Sequence, residues 1–373
     1  MKVNKCDQFG VTMIYLDANA TEPLWPAARQ ATAAAMDEVG NPSSVHLAGR
    51  AARRRLEEAR EAIAARFLGR PTDLVFTSGG TEADALAVHG LGRGRRLIVG
   101  ATEHDAVRAA AKGAAILPVD ADGIADLDAL ARLLAEGPAL LCLMLANNET
   151  GTIQPVAAAA ALCRAAGAWL HVDAVQAAGR IPLDFSALGA HALALSSHKL
   201  GGPAGAGALL LAPEAAAALA PLIVGGGQER GRRGGTPPLP AIAGFAAAAM
   251  AATGAEALAP LRDAAEAAAV AAGAVVVGAG APRLPNTTCL ALPGVKAETQ
   301  VIALDLAGIA VSAGAACSSG KVAKSHVLEA MGLGPLAGEA IRVSLPWNAT
   351  AADIAAFAAA YRGMAERLSR RAA

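Results

Sequence analysis

Short apolar runs alternate with longer helical stretches over the first two-thirds of the chain. The runs at residues 74–77, 96–99, 140–145, 169–172, 192–196 and 208–211 read as strands. Segments such as 82–89 and 156–166 between them read as helices. Alternation of this kind predicts a mainly parallel α/β sheet flanked by helices. Ligands of such sheets gather at the carboxyl ends of the strands, so the polar residues just after each run carry the functional information. Residues 225–240, GGGQERGRRGGTPPLP, are too rich in Gly and Pro for a regular element. An alanine-rich helix at 241–252 follows, and a break falls near residue 255. Beyond it, runs at 274–277, 287–292 and 341–345 between helices predict a smaller α/β domain. The expected division is an N-terminal segment, 1–20, packing on the small domain, a large domain, 21–255, and a small C-terminal domain, 256–373.

Composition narrows the function classes. Hydrophobic residues make up 54% of the 373 positions and charged residues 17%, which excludes a disordered chain. Lys plus Arg equals Asp plus Glu at 32 each, so nothing pulls the protein toward nucleic acid or an anionic membrane. The basic cluster between Arg50 and Arg60 is interleaved with Glu57 and Glu58 and reads as a solvated helix face. No apolar run is long enough to span a bilayer, and the opening MKVNKCDQFG has no apolar signal core, so a cytoplasmic location is expected. The five cysteines form no CxxC pair, so neither a disulfide frame nor an intrinsic metal site is expected. Cys142, Cys163 and Cys289 lie in apolar stretches and read as inert core residues. Cys317 lies instead in a run of small residues, 312–320, and is expected to be exposed.

Three strand ends carry candidate chemistry. In FTSGGTEADAL, residues 76–86, a strand runs into Gly79 and Gly80 and Thr81 opens a helix; glycines and free helix N–H groups suit a phosphate, although Thr81 also reads as a plain N-cap. In HVDAVQ, residues 171–176, Asp173 ends an apolar strand, where a carboxylate needs a partner such as a cationic ring nitrogen, or else caps the next helix. In residues 194–207, Ser196, His198 and Lys199 follow a strand and precede glycines, a setting that suits imine formation by a lysine. A phosphate cup, a carboxylate for a pyridinium nitrogen and an imine lysine are together what pyridoxal 5′-phosphate (PLP) requires.

Over nearly its full length the chain resembles the group I cysteine desulfurases, class V aminotransferase-like enzymes of fold type I. The segments that carry the resemblance are YLDANAT (15–21), NPSSVH (41–46), FTSGGTEAD (76–84), EHDAV (103–107), NNETG (147–151), HVDAVQ, SSHK (196–199), GGGQERGRRGGT, SAGAACSSG (312–320), SHVL (325–328) and IRVSL (341–345). The resemblance implies a seven-stranded, mostly parallel sheet in the large domain. It implies PLP as a Schiff base on Lys199, Asp173 on the pyridine nitrogen, Gln176 and Asn148 at the ring hydroxyl, and His104 stacked on the ring. Gly80, Thr81, Ser196 and His198 would hold the phosphate, and Thr236 would reach the phosphate of a neighbouring subunit, implying a homodimer. Arg342, with Asn148, would bind the substrate carboxylate; an arginine fork suits that task better than a lysine. Cys317 would be the nucleophile: Lys199 moves the α-proton of L-cysteine, the Cys317 thiolate attacks the substrate sulfur, alanine leaves, and a persulfide remains for an acceptor or iron–sulfur scaffold protein. The persulfide could also join a cluster transiently.

The pattern departs from the family at Gly201 and Ala204 after the PLP lysine, at Pro237 and Pro238 after the GT pair, at Pro346 and Trp347 after IRVSL, and at Ser197 before the lysine. Selenocysteine lyase or another fold type I PLP lyase is the alternative activity. A non-catalytic partner or scaffold subunit is the alternative of another class, and yellow protein whose absorbance shifts with cysteine separates the two.

Overall fold

The computed structural model describes residues 13–314 and 324–372. Its central sheet has seven strands in the spatial order Leu74–Thr77, Gly207–Leu211, Ala192–Ser196, Trp169–Asp173, Ala139–Cys142, Arg96–Gly100, Ala115–Leu117. Gly207–Leu211 runs antiparallel to both neighbours, and the remaining pairs are parallel. The six predicted runs all form strands. The 140–145 run ends as a strand at Cys142. The strand Ala115–Leu117 was not predicted: its alanine-rich surroundings carry no period of two, and its parallel pairing with Ile98, Val99 and Gly100 defines it.

Helices cover both faces of this sheet, which is why its strands read as continuous apolar runs. Leu141, Leu170, Val172, Leu193 and Leu195 pack on one face. Leu140, Cys142, Ala192 and Ala194 pack on the other, under the helix Gly80–Leu91. His171 and Asp173 alternate with Leu170 and Val172, so they share this second face.

The second core surrounds an antiparallel sheet in the order Ser312–Ala313, Ala340–Ser344, Thr287–Ala291, Val275–Val277. The helices Ala259–Ala271, Ala297–Asp305 and Ala351–Ala372 supply its cover. Ile14–Tyr15 pairs in parallel with Ile309–Ala310, Leu16 is buried in the same core, and Asp17 bridges to Ser344.

The basic cluster between Arg50 and Arg60 is not a uniformly solvated face. In the helix Leu47–Arg66, Arg53, Arg54 and Glu58 are exposed, but Arg60 is buried. It turns inward to meet Glu229 bidentately at 2.7 and 2.8 Å and the carbonyl of Leu74 at 2.9 Å. Charge interleaving along a helix does not reveal a carboxylate supplied 169 residues later. Glu229 also accepts the N–H of Phe76 at 2.8 Å, and Arg233 forks onto Glu82 at 2.8 and 3.1 Å. These bonds fasten the glycine-rich loop to the strand Leu74–Thr77 and its helix, and they hold Glu229 and Arg230 at φ values of 48° and 59°.

Candidate active site

The sheet register brings the candidate residues to one edge. Thr77 pairs with Gly207, Gly207 with Ser196, and Ala194 with Asp173, so the carboxyl ends of three strands converge. Lys199 follows in the single turn Ser197–Lys199, and His104 follows the strand Arg96–Gly100.

The turn at Gly79 and Gly80 is closely packed. A Cβ on Gly80 would lie 2.7 Å from Cγ2 of Val175, and one on Gly207 would lie 2.6 Å from the backbone of Gly79. Only glycine lets these three segments approach, and the first N–H groups of the helix Gly80–Leu91 are left without intrahelical partners. Ser196 is buried with its side chain turned toward Gly80, whereas Thr81 is exposed at the helix start. His198 lies beside Thr21, its Nδ1 3.1 Å from the threonine hydroxyl, and burial pushes it down to about 4.

Asp173 is buried, with the N–H of Val175 donating to it at 2.8 Å. Burial, and then the charge of Asp84, push it up to about 7. Behind it His171 Nε2 and Asp84 meet at 2.9 Å, both fully enclosed. His104 is exposed and accepts the N–H of Ala106 on Nδ1 at 3.1 Å, so the neutral ring carries its proton on Nε2.

The Lys199 amine donates to the carbonyls of Asn19 at 2.6 Å and Ala20 at 3.0 Å. Burial, then the cations of Arg342 and Arg180, bring it down to about 8. Gln176 is buried; its Nε2 donates to the Asn19 carbonyl at 3.1 Å and its Oε1 accepts from Arg180. Arg342 is buried, donating to Asp17 at 2.6 Å and to the Asn148 carbonyl at 3.0 Å. Asn148 is held in this position by Asn147, whose Oδ1 accepts the N–H groups of Glu149 at 2.8 Å and Thr150 at 3.0 Å. Thr236 is exposed on the glycine-rich loop. Cys317 lies outside the described residues. On either side of that segment Gly314 and Ser325 converge on the buried Glu149: the serine hydroxyl donates to it at 2.6 Å, and a Cβ on Gly314 would stand 2.3 Å from the same oxygen.

Sequence reasoning missed several members of the site. Asn19 donates to Asn148 O and Thr287 and accepts from Lys199 and Gln176, and Asp17 holds Arg342. Both stand in the YLDANAT segment, to which the resemblance assigns no role. Arg180, four positions after Gln176, offered only that spacing as a signal. The departures at Gly201 and Trp347 meet at Trp25. Trp25 and Trp347 stack at 4.0 Å, and with φ of +80° a Cβ on Gly201 would lie 2.6 Å from Trp25. Cys142, Cys163 and Cys289 are buried, and burial raises all three thiols, Cys163 to about 11.

PLP fits the residues present. The glycine cradle offers free N–H groups, Asp173 is a buried carboxylate short of a cation, and Lys199 is an amine disposed to lose its proton near neutrality. Fold and site together define a PLP-dependent enzyme of fold type I. The chain belongs to the aminotransferase class-V family, whose model matches residues 14–357, and within it to the cysteine desulfurases. It is 44% identical over 361 residues to a cysteine desulfurase of Cereibacter sphaeroides, covering 91% of this chain and 92% of that protein. Among solved structures it is similar to a NifS-like protein of Rickettsia africae, with a TM-score of 0.87 and 33% identity over 95% of this chain and 99% of that one. It is also similar to SspA in complex with cysteine, with a TM-score of 0.78 and 28% identity over 89% of this chain and 98% of that one.

Proposed function

We propose that this protein takes sulfur from L-cysteine, releases alanine, holds the sulfur as a persulfide on Cys317 and passes it to an acceptor protein. The observation that carries the reading is the convergence of the glycine cradle, Asp173 and Lys199 at the strand ends of the seven-stranded sheet, with Arg342 of the small antiparallel sheet beside the lysine. Bound PLP supplies an electron sink for the charge that develops at the substrate α-carbon. Gly80, Thr81, Ser196 and His198 hold the phosphate, and Asp173 keeps a proton on the ring nitrogen. Gln176 and Asn148 would hold the ring hydroxyl, and His104 would lie against the ring with Nε2–H available to donate. Lys199, half-buried among carbonyl oxygens, takes the α-proton and returns it. Arg342 grips the substrate carboxylate; its present carboxylate partner is Asp17. Binding of cysteine by a structurally similar protein supports this substrate.

The Cys317 thiolate attacks the substrate sulfur, the carbon–sulfur bond breaks, and its electron pair leaves with the substrate carbon. The acceptor is a sulfur-accepting or iron–sulfur scaffold protein, and the enzyme works as a cytoplasmic homodimer. Exposure of Thr236 on a braced loop supports its reach toward the phosphate site of a second copy. The test compares wild type with Cys317→Ser, measuring alanine and sulfide from L-cysteine. Loss of both products is expected; normal rates of both would overturn the assignment of Cys317.

A further inference from the structure

Arg180 stands beside Lys199 with no task in the chemistry above. It lies in the turn after the strand Trp169–Asp173 and is buried. Its guanidinium joins three segments of the site. Nη1 donates to the Gln176 carbonyl at 3.1 Å and to the Gln176 side-chain oxygen. Nη2 donates to the carbonyl of Ala18 at 3.3 Å, to the carbonyl of Lys199 at 3.5 Å and to the Glu22 carboxylate at 3.3 Å. The other Glu22 oxygen accepts the N–H of Trp347 at 2.8 Å, so the carboxylate is fixed as well. A planar guanidinium can serve so many acceptors at once, and an ammonium cannot.

We propose that Arg180, held by Glu22, is a positioning residue for Lys199: it locks the lysine backbone and the Gln176 amide onto residues 18–19 and sets a fixed positive charge beside the amine. The inference rests on the reading of Lys199 as the PLP-bearing lysine. Among the described residues, the charged groups around that amine are Arg180 and Arg342, opposed by Asp17 and Asp173, with His198 next in the chain. Asp17 is committed to Arg342, and Glu22 to Arg180. Removing Arg180 therefore leaves the amine more basic. Removing the charge of Glu22 leaves Arg180 less compensated and the amine less basic. Loosened packing alone does not produce shifts of opposite sign.

The experiment uses full-length Arg180→Met, Glu22→Gln and Arg180→Lys stripped of PLP. The rate of PLP uptake is followed across about pH 6 to 10, which reports the unprotonated amine, and PLP affinity is measured beside it. Borohydride trapping and peptide mapping locate the lysine that takes PLP. The expected midpoint moves up by about 0.5 to 1 unit in Arg180→Met and down in Glu22→Gln. Arg180→Lys keeps the wild-type midpoint but binds PLP more weakly, because the charge stays and the bridge is lost. Midpoints unchanged in both variants, or moving in the same direction, overturn the proposal. If Arg180→Met does not fold, Glu22→Gln decides: a downward move supports the proposal, and no move or an upward one overturns it. PLP trapped on a lysine other than Lys199 would instead sink the underlying assignment of the site.

Discussion

Replacing Glu229 by Gln removes one charge from a pair enclosed on both sides: the Arg60 and Glu229 side chains are 6% and 2% exposed. The carboxylate receives both Arg60 amino groups and the N–H of Phe76. A glutamine keeps the shape, but its NH2 must face one of these donors in either orientation. Arg60 retains Glu57 at 3.0 Å and the carbonyl of Leu74, so it is not wholly stranded. Breaking a buried pair from one side costs about 3–5 kcal/mol, and the remaining contacts place this variant near the lower end, a shift of roughly a hundredfold in the folding equilibrium. Urea unfolding followed by tryptophan fluorescence measures it. Glu57→Gln, on a half-buried partner, is the comparison and should cost at most about 1 kcal/mol. The double variant Arg60→Met with Glu229→Leu removes both charges and should regain most of the loss, since no uncompensated ion remains. Stability of Glu229→Gln within about 1 kcal/mol of wild type, or a double variant weaker than the single, would refute this account.

Further outcomes follow from single contacts. PLP uptake by the wild-type apo protein should rise about tenfold per pH unit and level off above about pH 8, because only the unprotonated Lys199 amine reacts; a rate still climbing beyond pH 10 contradicts the depressed amine. Gly80→Ala places a Cβ 2.7 Å from a Val175 methyl and should raise the PLP dissociation constant roughly tenfold, as read by equilibrium titration; unchanged affinity removes the close-packed cradle from the argument. Among the described residues the buried Tyr361 hydroxyl has no hydrogen-bond partner, so Tyr361→Phe should leave stability unchanged or raise it by up to about 1 kcal/mol in urea unfolding, and a clear loss would mean the hydroxyl has a partner. Gly201→Ala combines a left-handed backbone with a 2.6 Å approach to Trp25 and should lower the thermal midpoint; no change would show that the turn and the tryptophan pair can shift freely.

Much of the fold was legible in local pattern. Strands such as 74–77 and 192–196 lie in a sheet buried on both faces, so their apolar runs stand out, and the polar residues closing them mark the site edge. Ala115–Leu117 stayed hidden because three residues amid alanines carry no period. Asp173 and Lys199 could be read as a carboxylate and an amine at strand ends, but their altered proton affinities could not. Those come from burial and from charges brought in by other segments, Asp84 in one case and Arg342 and Arg180 in the other.

By itself, then, the sequence determined the residue types at each strand end and hence the PLP chemistry, because a glycine turn, a carboxylate and a lysine each depend only on near neighbours. The tertiary structure alone decided which partners complete them. Arg60 turns inward because Glu229 waits there, Asn19 becomes the junction of Lys199, Gln176 and Asn148, and Arg180 bridges Lys199 to Glu22. These bonds join positions up to 180 residues apart, and no local spacing encodes a meeting that chain packing alone brings about.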